Sequence, residues 1–121
     1  MSPPASVRIP SETDSSPVLA PSLQRLAAQG VLRRYRTGTV LIEEGDSGDN
    51  VYIVLEGRLR AFVSDGRGRE ITLGLHGPGE YVGEMSLDGG RRSASVQAVE
   101  ASACAVVTRD TVLRHIGADS E

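Results

Sequence analysis

Short β-forming runs, most of them alternating between apolar and polar residues, are the feature that most constrains the fold of this chain. A period of two predicts a β-strand with one buried face. Glycine-bearing turns such as Asp65-Gly66-Arg67-Gly68 separate the runs. Many short strands without intervening helices indicate an all-β sandwich or jelly-roll barrel rather than a doubly wound sheet. The predicted strands cover residues 31–36, 39–42, 51–55, 58–63, 70–76, 93–98 and 101–107.

A helix is predicted at each end of the strand region. Ser22 is the candidate N-cap of the first helix, and Gly30 is the residue that ends it. Thr108 is the candidate cap of a last helix over residues 109–116, and Gly117 ends that helix.

The most regular alternation covers residues 70–76. Ile71, Leu73 and Leu75 recur at every second position, and we expect them to face the core together. The run therefore predicts one continuous apolar face of a strand.

Length, charge and cysteine content limit the class of protein. The chain has 121 residues, and we expect residues 21–121 to form one domain. Residues 1–20 are rich in proline and serine and are expected to be a disordered lead-in. A net charge of −3 argues against direct nucleic-acid contact. The single cysteine, Cys104, excludes an intramolecular disulfide. With no signal peptide and no apolar run of ~18 residues, the chain is expected to be cytoplasmic and free of membrane contact.

The segment from Gly83 to Ala94 has the composition of an anion-binding turn. A short helical turn starting near Glu84 presents unpaired backbone N–H groups, and Gly83 permits close approach of a ligand. Arg92 offers a planar set of donors that suits a phosphate. The Glu84 carboxylate is an acceptor and therefore suits a sugar hydroxyl.

A purely structural interpretation of the same residues stays open at this point. Asp88-Gly89-Gly90 is typical of a hairpin turn, and Glu84 favours a helix N-terminus. Arg91 and Arg92 then form a solvated pair of charges, and Arg91 has no predicted partner in either interpretation. The surrounding motifs decide between the two.

The order and spacing of the motifs resemble those of the cyclic nucleotide-binding domain found in the catabolite activator protein and in kinase regulatory subunits. The resemblance covers residues 31–116 and implies a mainly β fold, an eight-stranded jelly-roll barrel with short flanking helices. It identifies the segment from Gly83 to Ala94 as the phosphate-binding cassette of that family. The matching motifs are Gly38, Ile42-Glu43-Glu44-Gly45-Asp46, Tyr52-Ile53-Val54-Leu55-Glu56-Gly57, Gly68-Arg69-Glu70, Gly77-Pro78-Gly79-Glu80, Gly83-Glu84-Met85-Ser86-Leu87 and Arg92-Ser93-Ala94-Ser95-Val96.

The resemblance implies polar roles for five cassette residues. Glu84 accepts a hydrogen bond from the ribose 2′-hydroxyl, and Arg92 pairs with the cyclic phosphate. The backbone N–H groups of Met85 and Ser86, together with the Ser93 hydroxyl, serve the same phosphate.

The resemblance also implies the rest of the binding site and its ligand. Gly83 and Ala94 bound the site, and Ala61 and Leu73 line it from the strands. The ligand is cyclic AMP or cyclic GMP, with cyclic AMP favoured, and no cofactor is implied. The expected function is a regulatory module, not an enzyme, that transmits ligand occupancy to a neighbouring element or partner.

Two departures from the family pattern affect the expected output. Only seven residues separate Glu84 from Arg92, so the cassette is short. The sequence also lacks the family's long C-terminal helix, which covers the base and often forms the dimer, and it has no helix-turn-helix. We therefore expect a monomer or weak dimer, with the lid helix supplied by a downstream or partner domain. Without a lid, discrimination between the two nucleotides should be about tenfold or less.

Three alternatives compete with a regulatory binding module. A jelly-roll metalloenzyme needs a histidine cluster, whereas His76 and His115 are the only histidines and are expected at the surface. A degenerate domain that acts as an interaction scaffold without binding nucleotide has no need of Arg92 beside Glu84. A haem or iron–sulfur sensor is disfavoured because Cys104 alone cannot hold a cluster.

Overall fold

The computed structural model describes residues 19–84 and 90–119, with side chains up to Gly117. Residues 1–18 of the predicted lead-in lie outside the described residues, as do Met85 and Ser86 of the cassette. The described chain contains two helices, α1 (Pro21–Ala27) and α2 (Arg109–Asp119). Its strands are β1 (Val31–Tyr35), β2 (Val40–Ile42), β3 (Val51–Glu56), β4 (Leu59–Ser64), β5 (Glu70–His76), β6 (Tyr81–Val82), β7 (Ser95–Ala98) and β8 (Ser102–Val107).

These eight described strands form two four-stranded antiparallel sheets. The first sheet has the order β1-β8-β3-β6, and the second has the order β2-β7-β4-β5. This mainly β architecture with a short helix at each end confirms the predicted fold class. The seven strands predicted from the sequence begin and end within two residues of the observed bounds, because local alternation and turn residues determine them.

Two apolar clusters hold the sheets and helices together, and β3 and β8 contribute to both. Ile53 and Ala105 pack with α1 and α2 in the first cluster. Val54 and Cys104 belong to the second cluster, which lies between the two sheets. Because both faces of β3 and β8 are buried, their sequences are nearly continuously apolar instead of alternating. Burial raises the pKa of the Cys104 thiol to about 12, so this cysteine stays protonated and inert.

The first helix begins differently from the prediction. Ala20 occupies the N-cap position without a side-chain hydrogen bond, and Pro21 stands in the first turn, so the predicted Ser22 cap is wrong. Proline suits this position because its missing N–H would lack an intrahelical partner anyway. Gly30 follows the helix as predicted, and a Cβ there would lie 2.8 Å from the Val106 carbonyl oxygen.

The last helix begins as predicted but ends later. The Thr108 Oγ1 accepts a hydrogen bond from the Thr111 N–H at 3.2 Å, which confirms the predicted cap. The helix continues through Gly117 to Asp119, so the predicted end is wrong. A glycine inside a helix costs only about 1 kcal/mol relative to alanine and need not end it. In the described ranges, neither helix is long and apolar enough to cross a membrane.

The side chains of β5 are far more exposed than their alternation predicts. Ile71, Leu73 and Leu75 are 51, 59 and 53 % exposed, so the expectation of a buried apolar face is wrong. The physical reason is position, because β5 lies at the edge of its sheet and has β4 as its single paired neighbour.

A β-bulge also divides these three residues between the two faces of the sheet. The pairing of β5 with β4 skips Leu73. Leu75 pairs with Arg60, whereas Ile71 pairs with Val63. Directly paired residues share a face, and Arg60 and Val63 are three positions apart in one strand, so Leu75 and Ile71 lie on opposite faces. The bulge therefore breaks the period of two that the sequence shows.

The turn between β3 and β4 requires a glycine. Gly57 has a φ of 90°, a conformation that residues with side chains rarely adopt. A Cβ there would overlap the Ser102 hydroxyl and lie 2.5 Å from the Ala101 carbonyl oxygen. The chain can therefore turn against the start of β8 only where position 57 has no side chain.

We expect Gly57→Ala to destabilise the domain more than Gly66→Ala does. Gly66 has a φ of 83°, but a Cβ there meets no atom within 4 Å, so its substitution measures backbone strain alone, about 1–2 kcal/mol. The overlap at position 57 should add about 1–3 kcal/mol. Urea unfolding of the two variants measures the difference, and equal losses of stability would contradict the overlap.

Candidate functional site

A cavity of about 200 Å³ lies between the second sheet and the segment that follows β6. Seven of the nine residues predicted for the site line it, and the other two, Met85 and Ser86, lie outside the described residues. The cavity has a polar side near Arg92 and an apolar side on the strands. The seven predicted residues that line it are Ala61, Leu73, Gly83, Glu84, Arg92, Ser93 and Ala94.

Arg92 is the best-anchored residue of the cavity. It is 6 % exposed, and its Nη1 and Nη2 atoms donate hydrogen bonds to the carbonyl oxygens of Gly83 and Asn50, at 3.1 and 2.9 Å. Its backbone is also held, since its N–H donates to the Asp46 carbonyl at 2.7 Å and its carbonyl accepts from the Gly45 N–H at 2.8 Å. The loop before β3 therefore binds both the backbone and the guanidinium of Arg92.

The guanidinium of Arg92 keeps its positive charge without an ionic partner in the described chain. Its hydrogen-bond acceptors are neutral carbonyls, and in residues 19–84 and 90–117 no carboxylate forms an ion pair with it. Guanidinium has five N–H donors, so three remain after the two carbonyl bonds. Because a buried cation is costly unless it is paired, the cavity is suited to an anion.

Gly83 leaves the space that the Arg92 side chain occupies. Its φ is 94°, and a Cβ there would lie 2.9 Å from Arg92 Nη1 and 2.7 Å from the Asn50 carbonyl oxygen. A side chain at position 83 would therefore displace the guanidinium from its two carbonyl partners. The sequence predicted that Gly83 gives a ligand room to approach, whereas in the structure its missing side chain makes room for the Arg92 guanidinium.

The remaining polar residues of the predicted site share the same wall. Glu84 is half-buried and lines this cavity as well as a neighbouring groove between α1 and α2. Ser93 is exposed, and Ala94 is half-buried beside it. The fold thus brings a carboxylate, a hydroxyl and a guanidinium to one cavity from positions up to nine residues apart in the chain.

Arg91 has a partner that the sequence did not predict. Its side chain is exposed, and its Nη1 donates a hydrogen bond to the Gly45 carbonyl at 2.9 Å. It does not line the cavity. The two adjacent arginines therefore have different environments, one buried at the site and the other on the surface.

Five further residues line the cavity that sequence reasoning had not assigned to it, namely Ile42, His76, Tyr81, Val82 and Val96. Inward positions in alternating strands were the available signal for Ile42 and Val96. His76 was expected at the surface, and its side chain is 31 % exposed there, but the structure also makes it part of the cavity wall.

The second histidine lines a different groove. His115 is half-buried in the groove between α1 and α2, where its Nε2 lies 3.2 Å from the Ser22 hydroxyl. The two histidines line different cavities. In the described part of the chain, no group of three histidine, cysteine, aspartate or glutamate residues is placed to hold a metal ion.

The sequence of residues 32–119 matches the model of the cyclic nucleotide-binding domain family. The chain belongs to that family. This confirms the resemblance drawn from the motifs. The segment from Gly83 to Ala94, which contributes five residues to the cavity, lies within the matched range.

Two curated relatives are bacterial regulators. The Cyclic AMP receptor protein of Thermus thermophilus is 43% identical over 97 residues, which are 78% of this chain and 45% of that protein. The CRP-like protein Clp of Xanthomonas campestris pv. campestris is 36% identical over 75 residues, which are 62% of this chain and 33% of that protein. The chain therefore spans less than half the length of these relatives.

Solved structures show the same relationship. The crystal structure of the Thermus thermophilus Catabolite Activator Protein matches with a TM-score of 0.75 at 38% identity, over 84% of this chain and 49% of that chain. The cAMP-bound form of the EAL enzyme Bd1971 matches with a TM-score of 0.67 at 37% identity, over 71% of this chain and 23% of that chain. The chain is thus a cyclic nucleotide-binding regulatory domain of the same type.

We expect Arg92→Ala to destabilise the unliganded domain by about 1–3 kcal/mol, because it leaves the partly buried Gly83 and Asn50 carbonyls without their donor. Arg91→Ala is the matched control, and loss of its exposed side chain should change stability by no more than about 0.5 kcal/mol. Urea unfolding without ligand compares the two variants. Equal stabilities would mean that the carbonyl contacts of Arg92 do not hold the cavity together.

Proposed function

We propose that this chain senses a cyclic nucleotide, with cyclic AMP favoured over cyclic GMP, and transmits its occupancy to a neighbouring domain without catalysing a reaction. The observation that carries the proposal is the buried guanidinium of Arg92, which has no ionic partner among the described residues and lies in the same cavity as the Glu84 carboxylate. The names of the relatives support it, since one is a Cyclic AMP receptor protein. Bd1971 has been solved in both cAMP-bound and cGMP-bound forms.

The proposed binding mode divides the ligand between the two sides of the cavity. Arg92 pairs with the cyclic phosphate through donors that the carbonyl bonds leave available. The Ser93 hydroxyl and the backbone N–H groups of Met85 and Ser86 complete the phosphate site. Glu84 accepts a hydrogen bond from the ribose 2′-hydroxyl.

The apolar side of the cavity would hold the sugar and base. Ala61 and Leu73 contribute to this side, and Leu73 is 59 % exposed, so its surface is available to a ligand. Covering such a side chain with a purine removes apolar area from water, which favours binding. Gly83 and Ala94 bound the polar side without adding bulk.

The proposed mechanism of regulation is a population shift. Arg92 connects the Gly83 carbonyl after β6 to the Asn50 carbonyl before β3, so a phosphate that moves the guanidinium moves these two segments relative to one another. A downstream or partner domain would respond and supply the lid over the base. The domain itself would act in the cytoplasm as a monomer or weak dimer, without direct nucleic-acid contact.

We expect Arg92→Lys to weaken cyclic AMP binding by about 10- to 150-fold, because lysine keeps the charge but loses the planar pair of donors. Arg91→Lys is the matched control, and it should bind like the wild-type chain because Arg91 does not line the cavity. Isothermal titration calorimetry at a temperature where all three proteins are folded gives the affinities. Equal affinities for the two variants would remove Arg92 from the phosphate site, and no binding by any of the three would favour the interaction scaffold.

The proposed contact between Glu84 and the ribose predicts that binding affinity depends on the 2′-hydroxyl of the ligand. Wild-type chain should bind 2′-deoxy cyclic AMP about 10- to 150-fold more weakly than cyclic AMP, since the Glu84 carboxylate then loses its partner. In Glu84→Ala the two ligands should bind alike, because the acceptor is gone from both complexes. Calorimetry with both ligands on both proteins tests the pair, and a ribose preference that survives in Glu84→Ala would exclude Glu84 as the acceptor.

A further inference from the structure

A histidine with one anchored nitrogen lies in the wall of the ligand cavity. His76 ends β5, and its Nδ1 lies 3.0 Å from Glu80 Oε1, on the turn that follows the strand. A carboxylate can only accept a hydrogen bond, so Nδ1 must carry the proton and donate it. In the neutral ring this leaves Nε2 as an acceptor, and Nε2 has no hydrogen-bond partner among the described residues.

The unpartnered nitrogen lies on the cavity face of the sheet. Gly74 pairs directly with Ala61, which lines the cavity, so a Cβ at Gly74 would point to that same face. That Cβ would lie 3.5 Å from His76 Nε2. The imidazole therefore folds back over Gly74, and its acceptor nitrogen occupies space that a larger residue at position 74 would fill.

The register of the second sheet separates the imidazole from the guanidinium. His76 lies in one row with Leu59 and Ala98, two residues further along β7 than Val96. Arg92 precedes the start of β7, so the backbones of His76 and Arg92 lie on opposite sides of the Val96 row. A ligand whose phosphate pairs with Arg92 would extend its other end towards the row of His76.

We propose that His76 Nε2 hydrogen-bonds the exocyclic group of the purine and thereby sets the preference for cyclic AMP. This inference rests on the proposed function, because it takes the phosphate to lie at Arg92. Adenine presents an amino group, which donates to an acceptor, whereas guanine presents a carbonyl oxygen at the same position, which does not. A neutral His76 anchored by Glu80 therefore favours adenine.

Leucine at position 76 removes this acceptor while it keeps an apolar cavity wall. The charged and titratable groups nearest the imidazole are Glu80 on the following turn, Tyr81 on β6, and Glu84 and Arg92 across the cavity. They are the same in the wild-type chain and in His76→Leu, so a change of preference between these two proteins reports on the imidazole.

The test is the ratio of cyclic AMP affinity to cyclic GMP affinity, measured by calorimetry in one buffer for the wild-type chain and two variants. His76→Leu removes both ring nitrogens, and its ratio should be about three- to tenfold lower than the wild-type ratio, the effect of losing one hydrogen bond. His115→Leu is the matched control, since His115 lines the other groove, and it should retain the wild-type ratio.

Each outcome separates this inference from the function on which it rests. A His76→Leu chain that binds both nucleotides with the wild-type ratio overturns the role of His76 and leaves the proposed function intact. A ratio that falls equally in His115→Leu also overturns it. If the wild-type chain binds neither nucleotide, both the proposed function and the role of His76 fail together.

Discussion

Two hydrogen bonds from one buried arginine hold the ligand cavity in shape. Arg92 donates to the carbonyls of Gly83 and Asn50, so its guanidinium joins the end of β6 to the loop before β3. The missing side chain at Gly83 makes room for it. Because both acceptors are neutral, the bonds fix the position of the cation without neutralising its charge. One side chain can therefore stabilise the empty cavity and attract an anion to it.

The cavity lies beside the most deeply buried part of the fold. Strands β3 and β8 are buried on both faces, between the helices on one side and the second sheet on the other. β6 pairs with β3, and the polar wall of the cavity follows directly from β6. The buried centre thus positions one wall, while the exposed edge strand β5 supplies part of the other.

The edge strand determines which of its side chains line the cavity. The bulge at Leu73 places this residue in the cavity wall while Leu75 pairs with Arg60 on the other face. The turn after β5 brings Glu80 to His76, the last residue of the strand, and so fixes one ring nitrogen. Bulges commonly redirect side chains beside binding sites, and here the redirected strand end carries the histidine.

The sequence by itself determined the strands and the fold class and predicted Arg92 and Glu84 as site residues, because alternation, turn residues and motif spacing are local properties of the chain. Tertiary structure alone decided that these two residues line one cavity, which faces the β5 side chains occupy, and that His76 joins the cavity wall. A bulge depends on the register with a partner strand, which no single-strand pattern records. The hydrogen bonds of the Arg92 guanidinium could not be predicted from the sequence either. Its acceptors are backbone carbonyls nine and 42 residues away, and every residue type has a backbone carbonyl.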